Sequence, residues 1–163
     1  MGAHETTTTR GTTIEAVDGL PAVRIVREFA AARQRVFAAW TDPDLVARWL
    51  GPRELELRID GWDPRTGGHW RYSNWRGGEH VASFYGSFHE VRPPERIVQT
   101  FTWTDLPDGV SLETAVFDDL GESRTRVTVT SLVDTLEARD AMLGSGMEVG
   151  VREGYEKLDA LLR

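Results

Sequence analysis

Apolar positions along the chain switch between two periods, and the switches mark its elements. Val23, Ile25, Arg27 and Phe29 alternate with Arg24, Val26 and Glu28, which predicts a strand. Ala30 to Trp40 is alanine-rich and places Val36, Phe37 and Trp40 on one helical face. In Thr41-Asp42-Pro43, Asp42 suits a helix N-cap and Pro43 a first helical residue, where its missing N–H would be unpaired anyway. This second helix turns Leu45 and Trp49 inward and stops at Gly51-Pro52.

From Leu55 to Ser131 the period is two. Leu55, Leu57 and Ile59 share one face of a strand. Trp70, Tyr72 and Asn74 share one face of the next, and Arg76-Gly77-Gly78 turns the chain. Val81 to Val91 sets Ala82, Phe84, Gly86, Phe88 and Glu90 on one face and ends at Pro93-Pro94. Three more inner faces follow: Ile97, Gln99, Phe101 and Trp103; Leu112, Thr114 and Val116; Thr125, Val127, Val129 and Ser131. Turns at Pro107-Asp108-Gly109 and Asp118 to Glu122 separate them, as in an antiparallel meander. Asp134 and Glu137 then have capping-box spacing, and Gly144 and Gly146 interrupt the helix. Beyond them Met147, Val151, Tyr155, Leu158 and Leu162 line one helical face. Glu148/Arg152, Glu153/Lys157 and Asp159/Arg163 are spaced to pair on the other.

The expected architecture is α+β. One strand and two short helices precede six antiparallel strands and a long C-terminal helix. A sheet of about seven strands curves around that helix and, being wider than it, leaves a gap beside it. Residues 1–20, with four threonines from Thr6 to Thr9, read as a polar, flexible tail that adds at most a strand around Thr13 to Val17. Residues 21–163 form the single domain that this length suits.

Composition narrows the function. Cysteine is absent, which excludes disulfides, thiolate metal sites and a cysteine nucleophile. Net charge is −7, and the arginines are scattered from Arg10 to Arg163, so neither nucleic acid nor an anionic membrane is an expected partner. No apolar run approaches the ~18 residues of a membrane helix, and the polar stretch Met1 to Thr13 is not expected to act as a secretory leader. A cytoplasmic location is the expectation.

Glu90 is the most informative single residue. Alternation puts its carboxyl on the face of Phe84 and Phe88, where burial would raise its pKa. It reads either as a ligand anchor or general acid/base, or as a structural acceptor for backbone N–H groups or an arginine near Pro93-Pro94. Tyr72, Asn74, Gln99, Thr114 and Ser131 share the same face. A few polar groups in an apolar cavity are what a small-molecule site needs. His69 and His89 fall on the outward parity, and no histidine pair has metal-binding spacing, so no metal or cofactor is expected. No nucleophile elbow and no phosphate-binding glycine loop is present.

Several segments resemble one family. Ala39-Trp40-Thr41-Asp42-Pro43-Asp44-Leu45-Val46-Ala47-Arg48-Trp49-Leu50-Gly51-Pro52 is similar to the A-x-T-D-P-x-x-L-x-x-W-x-G-P segment of the START-like (SRPBCC) superfamily, in the branch named after the C-terminal domain of the Hsp90 ATPase activator. Gly67 to Tyr72, Gly86 to Thr100, Thr125 to Val129 and Gly150 to Leu162 resemble further motifs of that branch, in order. The resemblance covers about residues 22–163 and implies a helix-grip fold. It implies function only broadly, since the superfamily holds carriers, polyketide aromatase/cyclases and co-chaperones. Val151 stands where the family usually has tryptophan, which either enlarges the cavity under the last helix or is compensated by Trp70, Trp103 or Tyr155.

The expectation is a protein that binds a small apolar or aromatic molecule between sheet and helix. The expected lining is Trp49, Trp70, Tyr72, Asn74, Phe84, Phe88, Glu90, Gln99, Phe101, Ser131, Met147, Val151 and Tyr155. The alternatives are an aromatase/cyclase-type enzyme, with Glu90 or Tyr72 as catalytic candidates, and a co-chaperone-like interaction module. Homodimerisation is compatible with the resemblance and not legible in the residues.

Overall fold

A computed structural model describes residues 6–9 and 11–163. The strands are β1 (Thr7–Thr9), β2 (Thr12–Ala16), β3 (Ala22–Phe29), β4 (Glu56–Trp62), β5 (His69–Arg76), β6 (Glu79–Arg92), β7 (Arg96–Trp103), β8 (Ser111–Gly121) and β9 (Arg124–Leu132). The helices are α1 (Arg33–Thr41), α2 (Pro43–Trp49), α3 (Leu136–Gly144) and α4 (Met147–Leu161). The strands form one antiparallel sheet in the order β1-β2-β3-β9-β8-β7-β6-β5-β4. The helix-grip expectation holds, with two strands more than the seven expected.

The extra strands come from the segment read as tail. Alternation in β2 points Thr12, Ile14 and Ala16 inward, and β2 pairs along β3 from Thr13↔Val26 to Ala16↔Val23. Two arginines secure this edge. Arg27 donates to Thr12 Oγ1 at 3.0 Å and pairs with Asp159 of α4. Arg139 of α3, almost wholly buried, donates to the carbonyls of Val17 and Leu20 at 3.0 and 2.8 Å. The strand that the sequence allowed around Thr13 to Val17 is thus β2, and the tail reading is corrected for residues 12–16, which belong to the sheet. Residues 1–5 and 10 of that tail lie outside the described residues.

Local signals acted as expected at α2: Asp42 Oδ1 accepts from Asp44 N at 2.9 Å ahead of Pro43, although Val46 rather than Leu45 is buried beside Trp49. At α3 the cap is Thr135, whose Oγ1 accepts from Ala138 N, and not Asp134. Gly146, in the left-handed region at φ 86°, separates α3 from α4.

The two ends of α4 pack differently. Tyr155, Leu158 and Leu162 carry bulk into a closed core with Phe29, Phe37 and Phe117. Phe29 meets Tyr155 edge-on at 5.4 Å and Phe37 meets Phe117 at 5.0 Å. The other half carries Gly150, Val151 and Gly154. Gly154 lets α2 come close, because a Cβ there would lie 2.9 Å from the Trp49 carbonyl oxygen. Large side chains fill the grip at one end of the helix, and small ones leave it open at the other.

Candidate functional site

The open end is a cavity of about 670 Å³ between the sheet and α4, within the range of small-molecule sites. Four rings form one wall. Trp70 stacks on Tyr72 at 5.3 Å, Tyr72 meets Phe84 at 5.3 Å, Phe84 meets Phe101 at 5.1 Å, and Phe101 returns to Trp70 at 5.6 Å. Gly86 makes this wall possible, since a Cβ there would come within 2.6 Å of Trp70 Nε1 and 1.9 Å of the Thr100 carbonyl oxygen. Trp40, Trp49 and Tyr155 line the side nearer the helices. Trp49 is held by a 2.8 Å hydrogen bond from its indole N–H to the Ala39 carbonyl. Two of the lining residues, Val149 of α4 and Val81 of β6, are exposed.

Of the expected lining residues, Trp49, Trp70, Tyr72, Asn74, Phe84, Gln99, Phe101, Ser131, Met147, Val151 and Tyr155 do border the cavity. Phe88 and Glu90 do not. Phe88 is fully buried against Trp62, 5.7 Å away edge-on. Glu90 is turned to the other face by a β-bulge: Phe88 faces Gln99, but Glu90 faces Val98, one step out of register. Its Oε1 lies 3.2 Å from Arg96 and 3.6 Å from Arg92, beside the Pro93-Pro94 turn. Glu90 is the structural acceptor of the two readings, and its role as ligand anchor or catalytic acid is withdrawn. Val151 borders the cavity, and neither Trp70 nor Tyr155 closes it; Trp103 is exposed and takes no part.

Of the acids on the lining, Glu54 is exposed and Glu113 is the one set into the sheet. The expected inner face of β8 was Leu112, Thr114 and Val116, but Leu112 is exposed and Ser111, Glu113, Ala115 and Phe117 point inward. A register shift between Asp119 and Gly121 causes the inversion: Gly121 faces Arg124, whereas Asp119 faces Thr125, and this parity continues to Glu113↔Ser131. Gln99, Glu113 and Ser131 thereby form one row across β7, β8 and β9. Ser131 Oγ donates to Glu113 Oε2 at 3.3 Å. Burial pushes the Glu113 carboxyl up to about 7, opposed by hydrogen bonds from Ser131 and Gln99. Burial raises the Tyr72 and Tyr155 hydroxyls well above the usual tyrosine range, and the charge of Glu113 adds to it. Both therefore remain protonated at neutral pH. Tyr72, a catalytic candidate from the sequence, can donate a hydrogen bond here but cannot act as a base.

His69, His80 and His89 are exposed, and no group of three metal-ligating side chains occurs among the described residues. No described helix is long and apolar enough to cross a membrane.

Residues 30–163 match the family described as activator of Hsp90 ATPase homolog 1-like protein. The chain belongs to this family. Solved structures similar to this member include a Rhodobacter sphaeroides protein at 27% identity, covering 91% of this chain and 96% of that one with a TM-score of 0.81. An Arthrobacter aurescens protein is 29% identical, covers 91% and 90% of the two chains, and has a TM-score of 0.82. An AHSA1 protein from Silicibacter pomeroyi is 25% identical, covering 86% and 96%, with a TM-score of 0.70. No curated protein matches the chain.

Proposed function

We propose that this protein binds a small apolar or aromatic molecule between the sheet and the N-terminal half of α4. The observation that carries the reading is the 670 Å³ cavity itself, aromatic along its wall and with a short polar row at Gln99, Glu113 and Ser131. Its apolar area would be covered by a ligand of matching shape, and the polar row would orient one end of it. A ligand at a hundredfold excess over its Kd adds about 2.7 kcal/mol to folding stability. For a chain of this size that is roughly 5–11 °C in Tm. A thermal-shift panel of aromatic and fatty compounds is therefore expected to contain stabilisers. Val151→Trp, which puts an indole into the cavity, is expected to remove the shift while keeping a cooperative melt. A panel with no stabiliser would defeat the reading.

A second reading, catalysis in the same cavity, gains one specific support: a carboxyl near neutrality can both give and take a proton at physiological pH. In an aromatase/cyclase-type reaction Glu113, and not Glu90, is the acid/base. Turnover of a poly-β-keto substrate is expected to fall by about 100-fold or more in Glu113→Gln, and an equal rate would remove Glu113 from the mechanism.

A further inference from the structure

The carboxyl in the cavity has no counter-charge. Among the described residues no arginine, lysine or histidine forms an ion pair with Glu113, and no basic side chain lines the cavity. The only other acid on the lining is Glu54, which pairs with Arg76 at 2.8 Å. Protein interiors keep charged groups chiefly where something pairs with them. The immediate neighbours of Glu113 also fix its sense. Ser131 donates to it at 3.3 Å and Gln99 stands opposite it on β7, so the site is arranged around an acceptor. The wall beside it is made of Trp70, Tyr72, Phe84 and Phe101, whose faces carry the negative side of the ring quadrupole and attract cations.

We propose that the ligand is a lipophilic amine, its ammonium group paired with Glu113 and its apolar body against the aromatic wall. This rests on the cavity-binding reading and deepens it. A neutral molecule of the same shape would fill the wall but leave Glu113 without a strong donor. An anion would meet Glu113 with nothing to offset the repulsion.

The test is calorimetric titration of the full chain at pH 8 with two matched series, naphthyl and octyl. Each series is offered as the primary amine, the alcohol and the carboxylate. In each series that binds, the amine is expected to bind about tenfold or more tighter than the alcohol, and the carboxylate weakest. Glu113→Gln is expected to bring the amine-to-alcohol affinity ratio close to one. An alcohol that binds wild type as well as its amine overturns the amine assignment and leaves the cavity reading standing. So does an amine preference that survives in Glu113→Gln. If no member of either series binds, the cavity reading falls and the amine assignment falls with it. The wild-type comparison of amine with alcohol decides the matter even if the variant does not fold.

Discussion

Replacing Glu113 by glutamine should change the pH dependence of stability in a way no surface substitution would. An ordinary glutamate loses its proton near 4.5, and this one loses it at about 7 because burial disfavours the charge. The folded state therefore holds the proton more tightly than the unfolded chain. Below pH 4.5 both states are protonated and the group contributes no penalty. As pH rises from 4.5 to 7 the unfolded chain sheds its proton first, and stability falls. Above 7 the full penalty is present, roughly 3 kcal/mol from the spacing of the two values. Glutamine keeps the shape and cannot ionise. At pH 8 the variant should be the more stable protein by about 1–3 kcal/mol, roughly 2–12 °C in Tm. At pH 4 the two should agree to within about 1 kcal/mol, the worth of an altered hydrogen bond to Ser131. The assay is urea unfolding followed by tryptophan fluorescence from pH 4 to 9, plotted as variant minus wild type. Subtraction removes the other titrating groups. One is Glu28, whose carboxyl the hydrogen bonds from Arg124 and Arg126 hold below its usual range. Its contribution has the opposite sign, being lost as pH falls. A difference that is flat across the range would refute the argument. A difference that turns against the variant with rising pH would mean that Glu113 has a cationic partner in the folded chain.

Two glycines of α4, four residues apart, should respond in opposite directions. Gly154→Ala meets the Trp49 carbonyl oxygen at 2.9 Å and should cost about 1–3 kcal/mol, whereas Gly150→Ala meets only Pro52, no nearer than 3.5 Å, and should gain up to ~1 kcal/mol of helix propensity, both read from Tm. Arg139→Met should strip the Val17 and Leu20 carbonyls of a buried cationic donor, costing about 1.5–3 kcal/mol in urea unfolding and speeding amide exchange in residues 12–22. At the β8–β9 turn, Glu122 and Ser123 sit at φ 54° and 55°, so the double change Glu122→Asn, Ser123→Gly should raise stability by about 1–2 kcal/mol; an unchanged Tm would count against strain there.

Most of the fold was legible because local chemistry specified it. Alternation located β3 through β9, Asp42-Pro43 began α2, Gly77-Gly78 turned β5 into β6, and the spacing of Met147, Val151, Tyr155, Leu158 and Leu162 gave α4 its buried face. The aromatic lining was legible for the same reason, since Trp70, Tyr72, Phe84 and Phe101 lie on strands whose parity is undisturbed up to the point where they face the cavity. Strand β2 was harder to read, because Thr12, Ile14 and Ala16 are a short alternating set beside a threonine run, and only pairing with β3 gives their inner face something to cover.

Which carboxylate enters the cavity was decided only in three dimensions. A strand's side chains repeat every two residues, so one extra residue in a ladder exchanges its faces. A bulge between Phe88 and Glu90 turns Glu90 out to Arg92 and Arg96, and another between Asp119 and Gly121 turns Glu113 in to Gln99 and Ser131. Neither bulge leaves a periodic trace in the chain, because the residue that breaks step is defined by the strand beside it. The sequence by itself determined the elements from β3 onward, the aromatic wall and the small side chains that leave α4 open at one end. Strand pairing determined that Glu113 faces the open space, where burial pushes its carboxyl up to about 7.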